Sequence, residues 1–213
     1  MDAFLVMKGR TTMTTISEKL PMITLADWVP GPRQGEWNYS DYKALPDDGR
    51  RYEIVNGVLL LMPSPSRSHQ KTTLEIASYL RTYIQTAGLG EVYIAPFNVE
   101  LAPDVVFQPD VLVVLNAGLE KVTEDGVIGP PDLVVEVASL STAPYDRLSK
   151  YHEYARARVP EYWIVNPEKR TVEVLVLEGD TYHSLGIFRG KAILPTRMVP
   201  DLPVHVEQFF ASI

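Results

Sequence analysis

Apolar positions recur at two different periods along this chain, and the changes of period mark out its elements. Residues 52–55 (YEIV) and 58–61 (VLLL) are short apolar runs flanking Asn56-Gly57. That dipeptide closes two-residue hairpins because both positions tolerate positive φ. Pro63-Ser64-Pro65-Ser66 ends the second run, and Ser66 or Ser68 stands where it can cap a helix. From there to about Ala87 the apolar residues Leu74, Ala77, Leu80, Ile84 and Ala87 follow helical spacing, with Gly88 at the C′ position. This is predicted to be the longest helix. Short β-branched runs then take over at 91–95, 97–101, 111–115 and 133–138. The last two are almost unbroken apolar runs, as in central strands covered on both faces. Helical spacing returns over 146–158 through Leu148, Tyr151, Tyr154 and Ala155, and strands follow at 162–165, 171–177 and 181–188. One helical turn is expected within 40–45, after a Pro/Gly-rich loop at 29–36, and a short helix at 206–210. Interleaved strands and helices predict one α/β domain over 21–213. Its expected form is a mixed β-sheet flanked by helices with an N-terminal β-hairpin, and residues 1–20 read as a flexible tail.

Composition narrows the function without choosing it. A chain of 213 residues buries enough surface to fold without a metal or a disulfide, so a metal site here would serve function. The absence of cysteine removes disulfides, thiolate zinc sites and cysteine nucleophiles together, and fits a reducing, cytoplasmic setting. No apolar run approaches the roughly 18 residues that span a bilayer, and no signal-peptide pattern opens the chain. The net charge of −7 is the wrong sign for a protein that coats nucleic acid nonspecifically. If nucleic acid is the partner, positive charge must be concentrated on one face or supplied by metal ions.

Familiar phosphate-loop, zinc-hydrolase, nucleophile-elbow and dinucleotide signatures are absent. What stands out is acid inside apolar strands: Asp110 opens QPDVLVVL and Glu136 interrupts LVVEVA. A strand-end acid such as Asp110 is ordinarily exposed, but a mid-strand acid among valines must find a cation or strong hydrogen bonds. On adjacent strands the two carboxylates would converge at one sheet edge. Their repulsion would then be relieved by a hard divalent cation, Mg²⁺ or Mn²⁺. Lys150 follows on the next helix. Asp146, Lys150 and Glu153 share a helix face, read either as a solvated ion-pair face or as a face looking at the acid pair.

Together these segments resemble the Uma-two family of restriction-endonuclease-like proteins, within the PD-(D/E)xK nuclease superfamily. The matching pieces run in order as LPDDGRRYEIVNGVLLLMPSPSRSHQ, QPDVLVV, PPDLVVEVASLST and YDRLSKYHEYARARVPEYWIVNPEKRTVEV, covering about 25–206. The resemblance implies a restriction endonuclease-like core. It also implies that Asp110 is the metal-binding aspartate and Glu136 the second acid. The lysine expected two residues after Glu136 is absent, because Ala138 stands there; Lys150 is the position that matches instead. Glu53 resembles an additional upstream acid. His69 matches a family position of open role, and a helix-start histidine satisfied by loop carbonyls reads equally well. SLST at 139–142 departs from the family's SPST, and 29–39 looks like an insertion.

The implied activity is metal-dependent phosphodiester hydrolysis by an endonuclease, with DNA as the expected substrate. Asp110, Glu136 and the carbonyl of Val137 would hold Mg²⁺ (or Mn²⁺), with Lys150, Glu53 and His69 completing the catalytic set. The alternative is a non-catalytic nucleic-acid-binding or accessory module that keeps the fold; a metal-dependent hydrolase of smaller molecules is a third reading. A homodimer would suit the cutting of both strands, and Trp28 and Trp37 read as either interface or core residues.

Overall fold

The Asn56-Gly57 dipeptide closes the expected hairpin between β2 (Arg51–Val55) and β3 (Val58–Met62), with φ values of 50° and 74°. Both are positive, as a type I′ turn requires. A Cβ on Gly57 would run into the carbonyl of Gly35, so glycine is also demanded by the loop packed over the turn. The computed structural model describes residues 23–138, 149–199 and 202–211. The expected tail at 1–20, the SLST segment and Asp146 lie outside the described residues.

The single mixed sheet expected from the sequence is two mixed sheets. One has seven strands in the order β1 (Thr24–Leu25), β3, β2, β6 (Val105–Phe107), β5 (Asn98–Ala102), β9 (Gly126–Ile128) and β8 (Val122–Thr123). The other has six, ordered β13 (Thr181–Arg189), β12 (Thr171–Glu178), β11 (Glu161–Asn166), β10 (Leu133–Val137), β7 (Val111–Leu115) and β4 (Gly90–Ile94). The split hangs on β6. Three residues are too few to show a period, yet β6 pairs with both β2 and β5 and draws them into a sheet of their own.

The six-stranded sheet is covered on both faces, as the apolar runs of β7 and β10 require. Val111, Val113, Leu133, Val135 and Val137 face one cluster, with Ile76 and Leu80 of α2 (Arg67–Leu80) and with Phe209 and Phe210. Val134, Tyr162 and Ile164 face the other way, onto Phe107 and onto Tyr154 of α3 (Tyr151–Arg156). Leu112 and Val114 meet Val99 and Val127 of the seven-stranded sheet. The outer side of that sheet is closed by Trp37, 2% exposed, which settles Trp37 as core. Trp28 is half exposed, with the Arg50 guanidinium 5.9 Å above its ring.

Two helices end earlier than predicted. The Ser66 side chain caps α2 by accepting from His69 N. After Leu80 the chain widens into one π-helical turn over Arg81–Gln85. There Ser78 and Thr82 bond back to carbonyls four residues earlier, which competes with the helical ladder. Gly88 follows with φ 71°, the left-handed stop expected of it. The described part of the helix expected over 146–158 ends at Arg156, because Arg158 turns left-handed (φ 69°) ahead of Pro160. The C-terminal piece Val206–Phe210 is a 3-10 turn. A five-residue helix, α1 (Tyr39–Lys43), starts at an Asn38–Asp41 capping box. No helix among the described residues is long and apolar enough to cross a membrane.

Candidate active site

β7 and β10 run antiparallel with Val111 opposite Val135. One step further along that register sets Asp110 opposite Glu136, and facing residues share a side of the sheet. Alternation along β10 turns Glu136 away from α2 and toward the space between the sheets, on the side of Val134. Asp110 is tied to the neighbouring strand, where its Oδ2 accepts the Val137 N–H at 2.8 Å. Glu53 enters from the middle of β2. These carboxylates are buried, Glu53 at 0%, Glu136 at 3% and Asp110 at 5% exposure. Burial of an ionised carboxylate costs several kcal/mol unless it is met by charge or hydrogen bonds.

Lys150 meets two of them. It sits immediately before α3 with helical φ and ψ, 2% exposed, and its Nζ lies 2.8 Å from Glu136 Oε1 and 3.0 Å from Glu53 Oε1. The ammonium also lies 5.4 Å over the Phe107 ring, a cation–π contact. Of the two readings of the Asp146–Lys150–Glu153 face, the solvated one is excluded for Lys150. One helical turn on, Tyr154 OH donates to the same Glu136 Oε1 at 2.7 Å. Burial, followed by the Glu136 charge, pushes the Tyr154 phenol well up, so it stays a donor. Glu53 Oε1 also accepts the main-chain N–H of Gln108 at 3.1 Å.

His69, in the first turn of α2, places Nε2 3.0 Å from Asp110 Oδ2. Its ring is therefore bonded to the carboxylate, which replaces the loop-carbonyl reading. Its Nδ1 is buried with no hydrogen-bond partner, as is Thr72 Oγ1 one turn later. Burial pushes the Asp110 carboxyl up, but the His69 hydrogen bond and charge, Lys150 and the Val137 N–H together hold it below its ordinary value. A carboxyl lowered in the folded state stabilises fully above its unfolded pKa of about 3.9, and that contribution is lost as pH falls through the lower native value. The Asp110 ¹³Cγ resonance should therefore still report mostly ionised carboxyl at pH 3.9. A midpoint at or above that pH would contradict the His69 and Val137 assignment.

The structure thus brings together Asp110, Glu136, Glu53, Lys150 and His69. Val137 joins them through its N–H, and in an extended residue the carbonyl points to the same edge. Glu153 does not join: it accepts from Asn56 Nδ2 at 3.1 Å and pairs with Arg156. Sequence reasoning missed Tyr154 as a polar partner, having placed it on an apolar face, and Gln108, whose position next to Pro109-Asp110 was its only signal. Among the described residues no three Asp, Glu or His side chains converge as a ready metal cage.

Two mixed sheets with a carboxylate–lysine cluster between them form a nuclease-like α/β fold. A solved structure from Anabaena variabilis, titled "a putative nuclease belonging to DUF820", shares it with a TM-score of 0.69. The two chains are 16% identical, and the match covers 82% of this chain and 97% of that one. Residues 39–207 match the family described as "Uma2: Putative restriction endonuclease", and the chain belongs to this family. A comparison with curated proteins gave no match.

Proposed function

We propose that the protein is a divalent-metal-dependent endonuclease that hydrolyses phosphodiester bonds in DNA. The observation that carries this reading is Lys150 bridging Glu136 and Glu53 beside Asp110, with every member buried. Among the described residues, three carboxylates meet one ammonium and one imidazole. With all three ionised, the negative charge of these five groups exceeds their positive charge even when His69 is protonated, a balance that suits a cation. The donor set is hard oxygen without thiolate, the chemistry of Mg²⁺ or Mn²⁺. Mg²⁺ is commonly held by one or two carboxylates with waters and substrate phosphate, so a three-residue cage is not required.

Asp110, Glu136 and the Val137 carbonyl are the groups that would hold the ion. When bound, the ion supplies Lewis-acid polarisation of a phosphate oxygen and makes a water more acidic. The remaining work falls to the chain itself. Lys150 fixes Glu136 and Glu53 in one geometry and offers its ammonium protons to an attacking water or to charge growing on the phosphate. His69 and the Val137 N–H aim Asp110, while Tyr154 aims Glu136. Duplex cleavage takes two sites, which a homodimer would supply.

The same bonds support a second reading, a nucleic-acid-binding module without turnover, because Lys150 and His69 already offset much of the charge. Cleavage of plasmid DNA in Mg²⁺ or Mn²⁺ separates the two. Wild-type protein should nick it, EDTA should stop it, and Glu136→Gln should lower the rate by about a hundredfold or more while remaining folded. Equal rates in wild type and Glu136→Gln would sink the catalytic reading.

A further inference from the structure

Arg51 is a cation that the carboxylate cluster does not use. It lies on β2 two residues before Glu53 and so projects from the same strand face. Its Nε donates to Gln108 Oε1 at 3.3 Å and its Nη2 to the Gln108 carbonyl at 3.1 Å. Gln108 is braced in turn, its Nε2 donating to Tyr42 OH and to Asn98 Oδ1, each at 3.0 Å. The Gln108 N–H holds Glu53, and Asp110 follows two residues later, so the guanidinium is fixed at the edge of the cluster. Both acceptors of Arg51 belong to a neutral residue, and among the described residues no carboxylate lies within ion-pair distance of it.

A guanidinium carries five N–H donors in a rigid fork, and two of them are spent here on Gln108. The others keep a fixed direction because the clamp removes the rotamer freedom that a surface arginine retains. A pre-oriented cation without an anionic partner among the described residues, beside three buried carboxylates, is placed to take an anion that those carboxylates would otherwise repel. We propose that Arg51 is a phosphate-binding residue, contacting a phosphodiester oxygen of the substrate next to Asp110 and Glu53. Anion binding follows from this geometry alone; that the anion belongs to a nucleic acid rests on the nuclease reading above.

Two measurements on the full chain test it. Inorganic phosphate titrated into ¹⁵N-labelled wild-type protein should shift the Arg51 Nε–Hε signal to saturation, while chloride at equal ionic strength should not. In EDTA, Arg51→Gln should bind a labelled 16-base-pair DNA duplex about tenfold more weakly than wild type. The slope of log affinity against log salt should fall by about one. Arg51→Lys should recover the slope with only part of the affinity, because lysine keeps the charge and loses the fork. A purely structural clip would instead lower Tm and leave the slope unchanged. Absence of a phosphate-induced shift in wild type, or an unchanged slope in Arg51→Gln, overturns the proposal. If Arg51 takes phosphate but the protein cleaves neither DNA nor RNA, the anion site stands and the nuclease reading falls. If wild type cleaves and Arg51→Gln cleaves with the same KM, the nuclease reading stands and Arg51 is not its phosphate contact.

Discussion

Replacing Lys150 with methionine should destabilise the protein by about 3–5 kcal/mol and abolish any cleavage. Methionine fills nearly the same volume, so the cost is electrostatic. The ammonium that lies 2.8 Å from Glu136 and 3.0 Å from Glu53 disappears, and two buried carboxylates are left facing each other. The remedy available to the folded chain is to protonate one of them, so the loss should shrink as the pH is lowered toward the carboxyl range. A double variant, Lys150→Met with Glu136→Gln, should recover much of the stability and none of the activity. Chemical denaturation of the three proteins measures this directly. A Lys150→Met protein as stable as wild type would mean that the lysine is not the counter-charge drawn here.

Glu161→Ala should be nearly as destructive to stability, for a reason unrelated to catalysis. Glu161 opens β11 and is fully buried. Its Oε1 accepts Trp163 Nε1 at 2.6 Å, and its Oε2 accepts the main-chain N–H groups of Arg197 and Met198 at 2.7 and 3.2 Å. One carboxylate thus pins the segment after β13 to the six-stranded sheet. Alanine leaves these donors without their acceptor, at a cost of about 3 kcal/mol. For a chain of this length that lowers Tm by about 6–12 °C. Amide exchange should quicken at Arg197 and Met198 before it does so in β11. Unchanged exchange at those two amides would count against the pin.

Glu161 also shows where sequence reading stops. It precedes an apolar run, YWIV, much as Asp110 precedes VLVV, yet one acid ties down a loop and the other faces a lysine–carboxylate cluster. An acid beside an apolar strand reveals that a partner must exist and leaves the partner unnamed. Strand identity was legible because β7, β10 and β12 are rich in valine. The hairpin was legible because Asn56-Gly57 has few other uses. The division into two sheets was hidden in β6, where three residues carry no period, and the early helix ends were hidden in a π-turn and a left-handed Arg158.

At the site, Asp110, Glu136, Glu53, His69 and Lys150 are all legible as candidates in the sequence, but their pairing is not. Nothing in sequence spacing sets His69 on Asp110, or Lys150 on both glutamates; those contacts come from how α2 and the turn before α3 sit against the sheets. Gln108 and Arg51 lay beside flagged residues without any pattern of their own. Their role follows from a main-chain N–H and a guanidinium fork meeting across two strands.

Mn²⁺ titration by isothermal calorimetry, on wild-type protein and on Asp110→Asn, addresses the central claim most directly, because it reads the site without needing a substrate. The three buried carboxylates predict saturable uptake of about one ion per chain by wild type, and its loss in a folded Asp110→Asn protein. No uptake by wild type, or undiminished uptake by Asp110→Asn, would contradict a metal centre at these carboxylates.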